Sequence, residues 1–115
     1  MEITRKNQGP RMSQAVIHGD TIYLAGQVAD DPEAGIADQV RSVLGKIERL
    51  LQEAGSSKAK LLATTIYLAD LRDFGAMNAL WDAWVDPSNT PARTTVEARL
   101  ARPTLRVEMT VVAAR

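Results

Sequence analysis

Apolar and polar positions along the chain follow two rhythms, and their succession predicts the elements. Residues 14–17 (QAVI) and 21–25 (TIYLA) are short β-rich runs, and His18-Gly19-Asp20 between them reads as a tight hairpin turn. The polar stretch Asp30-Asp31-Pro32-Glu33-Ala34-Gly35 reads as a loop. The period then changes. Ile36, Val40, Val43, Leu44, Ile47, Leu50, Leu51 and Ala54 recur at steps of three and four, which lays one apolar stripe along a helix. Gly55 suits the position just past its end, and Gly45 weakens its middle by up to about 1 kcal/mol relative to alanine. Residues 61–69 (LLATTIYLA) are apolar on both faces and read as a buried strand. Asp70 can cap a second helix, about 71–86, with Phe74, Met77, Trp81, Trp84 and Val85 at helical spacing; Pro87 and Pro91 prevent its continuation. A strand at 94–99 (TTVEAR) is separated by Pro103 from a last one at 104–114. In that last strand Leu105, Val107, Met109, Val111 and Ala113 share one face, and Arg106, Glu108, Thr110 and Val112 share the other.

The order β-β-α-β-α-β-β, in one domain spanning 1–115, predicts an α+β two-layer sandwich: a mixed β-sheet covered by two helices. Two helices cannot cover both faces of a sheet. Ile66 and Leu68 are assigned to the second face, so that face is expected to be buried against other subunits in an oligomer.

Composition narrows the function classes. Hydrophobic residues make up 45% of the 115, and 14 basic residues balance 14 acidic ones. A chain without a basic surplus is a poor partner for nucleic acid. No segment approaches the ~20 apolar residues of a membrane span, and the N-terminal MEITRKNQGP lacks the apolar core of a signal peptide. The absence of cysteine removes disulfides, thiol nucleophiles and thiolate metal sites together. The expectation is a soluble cytoplasmic protein.

The common catalytic motifs are missing: no phosphate-binding glycine loop, no dinucleotide fingerprint, no His-Glu-x-x-His and no Gly-x-Ser-x-Gly. His18, the only histidine, falls in the predicted hairpin turn, so neither a Ser-His-Asp triad nor a histidine metal site is expected. Chemistry is left to arginine, carboxylates, hydroxyls, backbone groups and water. In Pro91-Ala92-Arg93-Thr94-Thr95-Val96 an arginine stands at a strand entrance just after a rigid proline. Its guanidinium can grip a carboxylate through two parallel hydrogen bonds, and it can equally be an ordinary surface arginine in a loop. Glu108 interrupts an apolar strand. A carboxylate there can activate water or shuttle a proton, or simply pair with Arg106 or Arg99 on an outer face. Phe74, Trp81 and Trp84 read as core or interface side chains.

These same residues carry a family resemblance. Ser13-Gln14-Ala15-Val16, Ala25-Gly26-Gln27-Val28, Ala69-Asp70-Leu71-Arg72-Asp73-Phe74 followed by Asn78, Pro91-Ala92-Arg93, and Val107-Glu108 occur in the order found in the RidA (YjgF/YER057c/UK114) family, which the chain resembles over nearly its whole length. The resemblance implies a chorismate-mutase-like fold and a homotrimer with clefts between subunits. It also implies cofactor-independent hydrolysis of enamines and imines of the 2-aminoacrylate/2-iminopropanoate type to 2-keto acids and ammonia. Arg93 then matches the arginine that holds the substrate carboxylate, and Glu108 the glutamate that orients or activates water. Phe74 matches an aromatic wall, and Gly26 and Thr95 match positions lining the cleft. The chain departs from the family pattern in three places: Met12 stands in place of a tyrosine, Ala25 in place of a serine and Thr95 in place of a frequent cysteine. Two other classes of function stay open at this level. One is a non-catalytic module that binds a small carboxylate metabolite. The other is the endoribonuclease or translation-inhibitor role described for the family, which the balanced charge and single histidine disfavour.

Overall fold

In the computed structural model, which describes residues 1–115, the three-and-four spacing of the central segment becomes α1 (Ile36–Glu53). Val40, Val43, Ile47 and Leu51 on its stripe are fully buried. Gly55 ends it in the left-handed region, φ 82°. Its N–H donates to the Gln52 carbonyl at 3.1 Å and the Ser56 N–H to the Leu51 carbonyl at 2.8 Å, so two carbonyls left free by the helix end are satisfied.

The strands are β1 (Ile3–Lys6), β2 (Ala15–His18), β3 (Thr21–Leu24), β4 (Gln27–Val28), β5 (Leu61–Leu68), β6 (Ala92–Glu97) and β7 (Val107–Ala114). They form one sheet in the order β1-β2-β3-β7-β5-β6, with β4 also paired to β7. All pairs are antiparallel except β5 with β6, so the sheet is mixed, as expected. The β2–β3 hairpin turns at Gly19-Asp20 with Gly19 at φ 62°, a conformation glycine adopts without steric cost. The second helix, α2 (Phe74–Trp84), is shorter than the expected 71–86. Asp70 caps instead a short 3-10 turn over Leu71–Asp73, its carboxylate accepting from the Arg72 N–H at 2.8 Å; at the far end Val85 is already extended.

β1 and β4 carry no sequence signal. The side chains of β1 are exposed or half-buried, so no apolar alternation marks it, and β4 has only two residues. β7 begins at Val107 rather than 104 because the preceding residues turn, the Leu105 N–H bonding the Arg102 carbonyl at 3.2 Å. β6 starts two residues before the expected 94 and ends at Glu97.

The core lies between the helices and one sheet face. Ile17, Ile22, Leu24, Ile66, Leu68, Val107, Met109 and Val111 meet the α1 stripe, Met77 and Trp81 there. Ile66 and Leu68 are therefore helix-side residues, both 0% exposed, and do not belong to the second face as the sequence reading had it. That second face instead presents Val16, Tyr23, Tyr67, Val96, Glu108, Thr110 and Val112, all half-buried or exposed. The apolar run of β5 misleads because it lacks alternation, so nothing in it assigns its residues to one side.

Candidate functional site

The backbone at Ala25-Gly26 interrupts the ladder along β7. Tyr23 pairs with Val112, Gln27 with Met109 and Val28 with Glu108, so β3 and β4 follow the same edge with a break between them. The break is pinned from several sides. Thr110 Oγ1 donates to the Leu24 carbonyl at 3.1 Å, and the Ala25 N–H donates to the Gln14 carbonyl at 2.9 Å. Buried Gln27 donates through Nε2 to Gln14 Oε1 (2.9 Å) and to the Ala25 carbonyl (3.0 Å). Into this notch the Glu108 side chain leans. A Cβ at Gly26 would collide with Glu108 Oε2 and lie 3.1 Å from Cδ, so the glycine is what lets the carboxylate rest against the main chain. Gly26 has no positive φ; its value here is space. Glu108, Gly26, Tyr67, Thr110 and Arg99 line one open cleft of about 420 Å³ on the second sheet face, together with Ala98, Leu100 and Ala101.

Arg93 belongs to a different group. It pairs in register with Thr64, and Thr95 with Ile66, whereas Glu108 pairs with Tyr67. Thr64 and Tyr67 are three residues apart on one strand, so they point to opposite faces. Arg93 and Thr95 accordingly lie on the helix side, and Glu108 on the other. The Arg93 guanidinium sits over the Trp81 indole, 5.5 Å from its centroid. On the same face Thr64 Oγ1 and Thr95 Oγ1 are buried with no hydrogen-bond partner, as is Asn78 Oδ1 on α2. Phe74 stands 41% exposed at the start of α2, two turns before Trp81 on the same stripe. Met12 is 46% exposed in the loop before β2, where its carbonyl accepts from the Gly9 N–H at 2.8 Å. Within one chain, then, Gly26 is brought to Glu108, and Thr95 and Trp81 to the face of Arg93. His18 is exposed at the end of β2.

Three arginines of the chain are held in ion pairs. Arg41, Arg72 and Arg106 each pair with a carboxylate, Asp38, Asp70 and Asp73 respectively. The Arg72 guanidinium and N–H hold the Asp70 carboxyl down to about 2, and Asp70 in turn raises the Arg72 pKa. Arg93 enters no ion pair. A fixed cation without a counter-charge beside unsatisfied hydroxyls can receive an anion with hydrogen-bonding oxygens. A carboxylate over a glycine backbone in a water-accessible cleft can accept a proton from water.

Comparison with known proteins settles the lineage. The sequence model of the family described as Endoribonuclease L-PSP matches residues 6–115. The chain belongs to the RutC/YjgF family. It is 42% identical to the RutC family protein YoaB of Escherichia coli and 41% identical to a RutC family protein of Haemophilus influenzae, covering 99% and 98% of each pair of chains. A solved YjgF family structure from Neisseria meningitidis superposes with a TM-score of 0.96 at 46% identity, over 100% of this chain and 96% of that one. A YjgF/YER057c/UK114 member from Mycobacterium tuberculosis gives 0.89 at 26% identity, over 99% and 100%. The α+β fold is thus that of the YjgF family.

Sequence reasoning had named Gly26, Ala25, Arg93, Thr95, Phe74, Met12 and Glu108. Of the neighbours of Glu108 it had Thr110 on the same strand face and Arg99 as an ion-pair partner; it missed Tyr67, and it treated Trp81 only as packing. The β7 alternation places Thr110 on the face of Glu108, but the partner Tyr67 depends on cross-strand register, which a single sequence does not specify.

Proposed function

We propose that this RutC/YjgF member is a hydrolytic deaminase of small 2-imino acids and their enamines, of the 2-aminoacrylate/2-iminopropanoate type, yielding 2-keto acids and ammonia in the cytoplasm. It uses no cofactor and works as a homotrimer whose clefts each combine two subunits. Arg93, with Thr95 and Phe74, comes from one subunit; Glu108, with Gly26, Ala25 and Met12, comes from its neighbour.

The observation that carries this reading is the split of the two charged groups across the sheet. A free guanidinium on one face and a water-accessible carboxylate on the other serve one small substrate only if a second copy brings the faces together. Arg93 clasps the substrate carboxylate through paired N–H donors. That contact fixes C2 of the protonated imine near Glu108 of the neighbour. Glu108 takes a proton from water as the water oxygen bonds to C2, then returns it to the amine nitrogen. The C–N bond breaks, ammonia leaves with the bonding pair and takes up the hydroxyl proton, and the keto acid remains. Protonated imines are already electrophilic, so positioning and one acid–base group suffice without a metal.

The test is subunit complementation. A dehydratase supplies 2-aminoacrylate, and ammonia release is followed. Arg93→Ala and Glu108→Ala are each inactive. Co-refolded in equal amounts, they regain about a quarter of wild-type activity, because every mixed trimer contains one interface with both groups intact. Arg93→Ala with wild-type activity, or a monomeric active wild type, refutes the proposal. Keto acid binding without turnover in the wild type points instead to a metabolite-binding module.

A further inference from the structure

We infer that Trp81 is the positioning residue of Arg93: its indole holds the guanidinium in place without occupying any of its N–H donors. The functional weight of this inference rests on the proposed role of Arg93; its geometry stands by itself. Arg41, Arg72 and Arg106 are steadied by carboxylates, and such a partner would compete directly with a substrate carboxylate. Arg93 is steadied by a ring face 5.5 Å away. The quadrupole of an aromatic ring attracts the cation from above or below its plane, leaving the in-plane donors of the guanidinium available.

The platform is itself fixed. Trp81 is 5% exposed in the core, and its ring packs against Trp84 at 5.5 Å between centroids, tilted 49°. The Trp84 Nε1–H donates to Glu48 Oε1 on α1 at 2.9 Å, and Lys58 lies over the Trp84 ring at 5.3 Å. A continuous set of contacts therefore runs from α1 through both tryptophans to Arg93 on β6. This gives the Trp-Asp-Ala-Trp segment of α2 a purpose beyond filling space: the two rings stand three residues apart, so they stack along one side of the helix and the inner one meets the sheet.

Two measurements test the inference, one free of any ligand. In the wild-type protein the Nε–H and Cδ protons of Arg93, assigned by their loss in Arg93→Lys, resonate upfield of those of exposed Arg11 because of the Trp81 ring current. The displacement persists in Trp81→Tyr and vanishes in Trp81→Leu. An undisplaced wild-type resonance overturns the inference whether or not any variant folds. In the second measurement pyruvate is titrated as the probe. Its dissociation constant rises about five- to tenfold in Trp81→Leu and less than about twofold in Trp81→Tyr, with kcat for 2-aminoacrylate nearly constant and KM rising in parallel. Equal pyruvate affinity in folded Trp81→Leu and wild type also overturns it. A ring-current shift that behaves as expected in a protein that binds no pyruvate leaves Trp81 as the positioning group and removes the deaminase reading instead.

Discussion

The two faces of the sheet put neighbouring residues to different uses. On the helix side Ile66 and Met109 pair across β5 and β7 and are sealed from solvent. One residue away on each strand, Tyr67 and Glu108 pair on the open side and stay half-buried, with the cleft above them. Around Ile66 and Met109 the helix side is completed by this chain alone, and the residues there are apolar because burial is permanent; it turns polar only toward the β6 edge, at Arg93 and Thr95. The open side keeps a carboxylate, a hydroxyl and a phenol that burial without partners would penalise. A face left unfinished by its own chain is where a second subunit can supply the missing charge.

Adjacent substitutions on β7 separate the two faces most sharply. Glu108→Gln keeps size and strand pairing and removes the proton acceptor; imine turnover falls by about 10²–10⁴-fold while the melting temperature holds. Activity within tenfold of wild type would show that the carboxylate is not the base. Met109→Ala, one residue on, reverses the pattern: stability falls by about 2–5 kcal/mol from the cavity left in the core, measured by urea unfolding, and the residual folded protein turns over normally. Equal effects of the two variants on stability would erase the distinction between the faces.

Gly26→Ala tests the notch more gently. The nearest atoms to the added methyl belong to the flexible end of Glu108, so the carboxylate swings away and the backbone stays. Activity drops about tenfold through misplacement of the base, and stability changes by less than about 1 kcal/mol. A large loss of stability with unchanged specific activity would mean that the glycine serves the ladder break rather than the carboxylate.

How much of this was legible in the sequence follows the range of the interactions involved. α1 was readable nearly to the residue because eighteen residues carry one stripe and Gly55 closes it through local hydrogen bonds. The alternation in β7 correctly put Glu108 opposite the core side. The placement of Ile66 and Leu68 failed because a run apolar on both faces has no period to read. β1 was invisible, an edge strand held by backbone pairing to β2 rather than by burial. Arg93 and Glu108 were both singled out by residue type and setting. Their separation across the sheet was not, since it depends on the parallel pairing of β6 with β5 and the antiparallel pairing of β7, both contacts distant in sequence.

The smallest expected effect lies in solvent, at the entrance to the helix that carries Trp81. Asp70 accepts from the Arg72 N–H, Nε and guanidinium, at 2.8, 2.9 and 2.6 Å. These contacts bring its carboxyl from 3.8 to about 2. A folded-state pKa below the unfolded one means stabilisation that is complete above about pH 4 and is lost as pH falls toward 2, where the folded carboxyl also protonates. Because the pair lies at the surface, with Arg72 largely in solvent, water and salt screen it, and the loss is confined to fraying of the turn over Leu71–Asp73. The carboxyl resonance of Asp70 should therefore titrate near 2, and amide exchange at Arg72 and Asp73 should quicken over that interval while the core amides of α1 stay protected. The Arg93 ring-current shift should be indifferent to the same change, because its support comes from Trp81 and not from a carboxylate. Loss of that shift between pH 4 and 2 would tie the arginine to an acid partner and collapse the contrast drawn between Arg93 and the paired arginines.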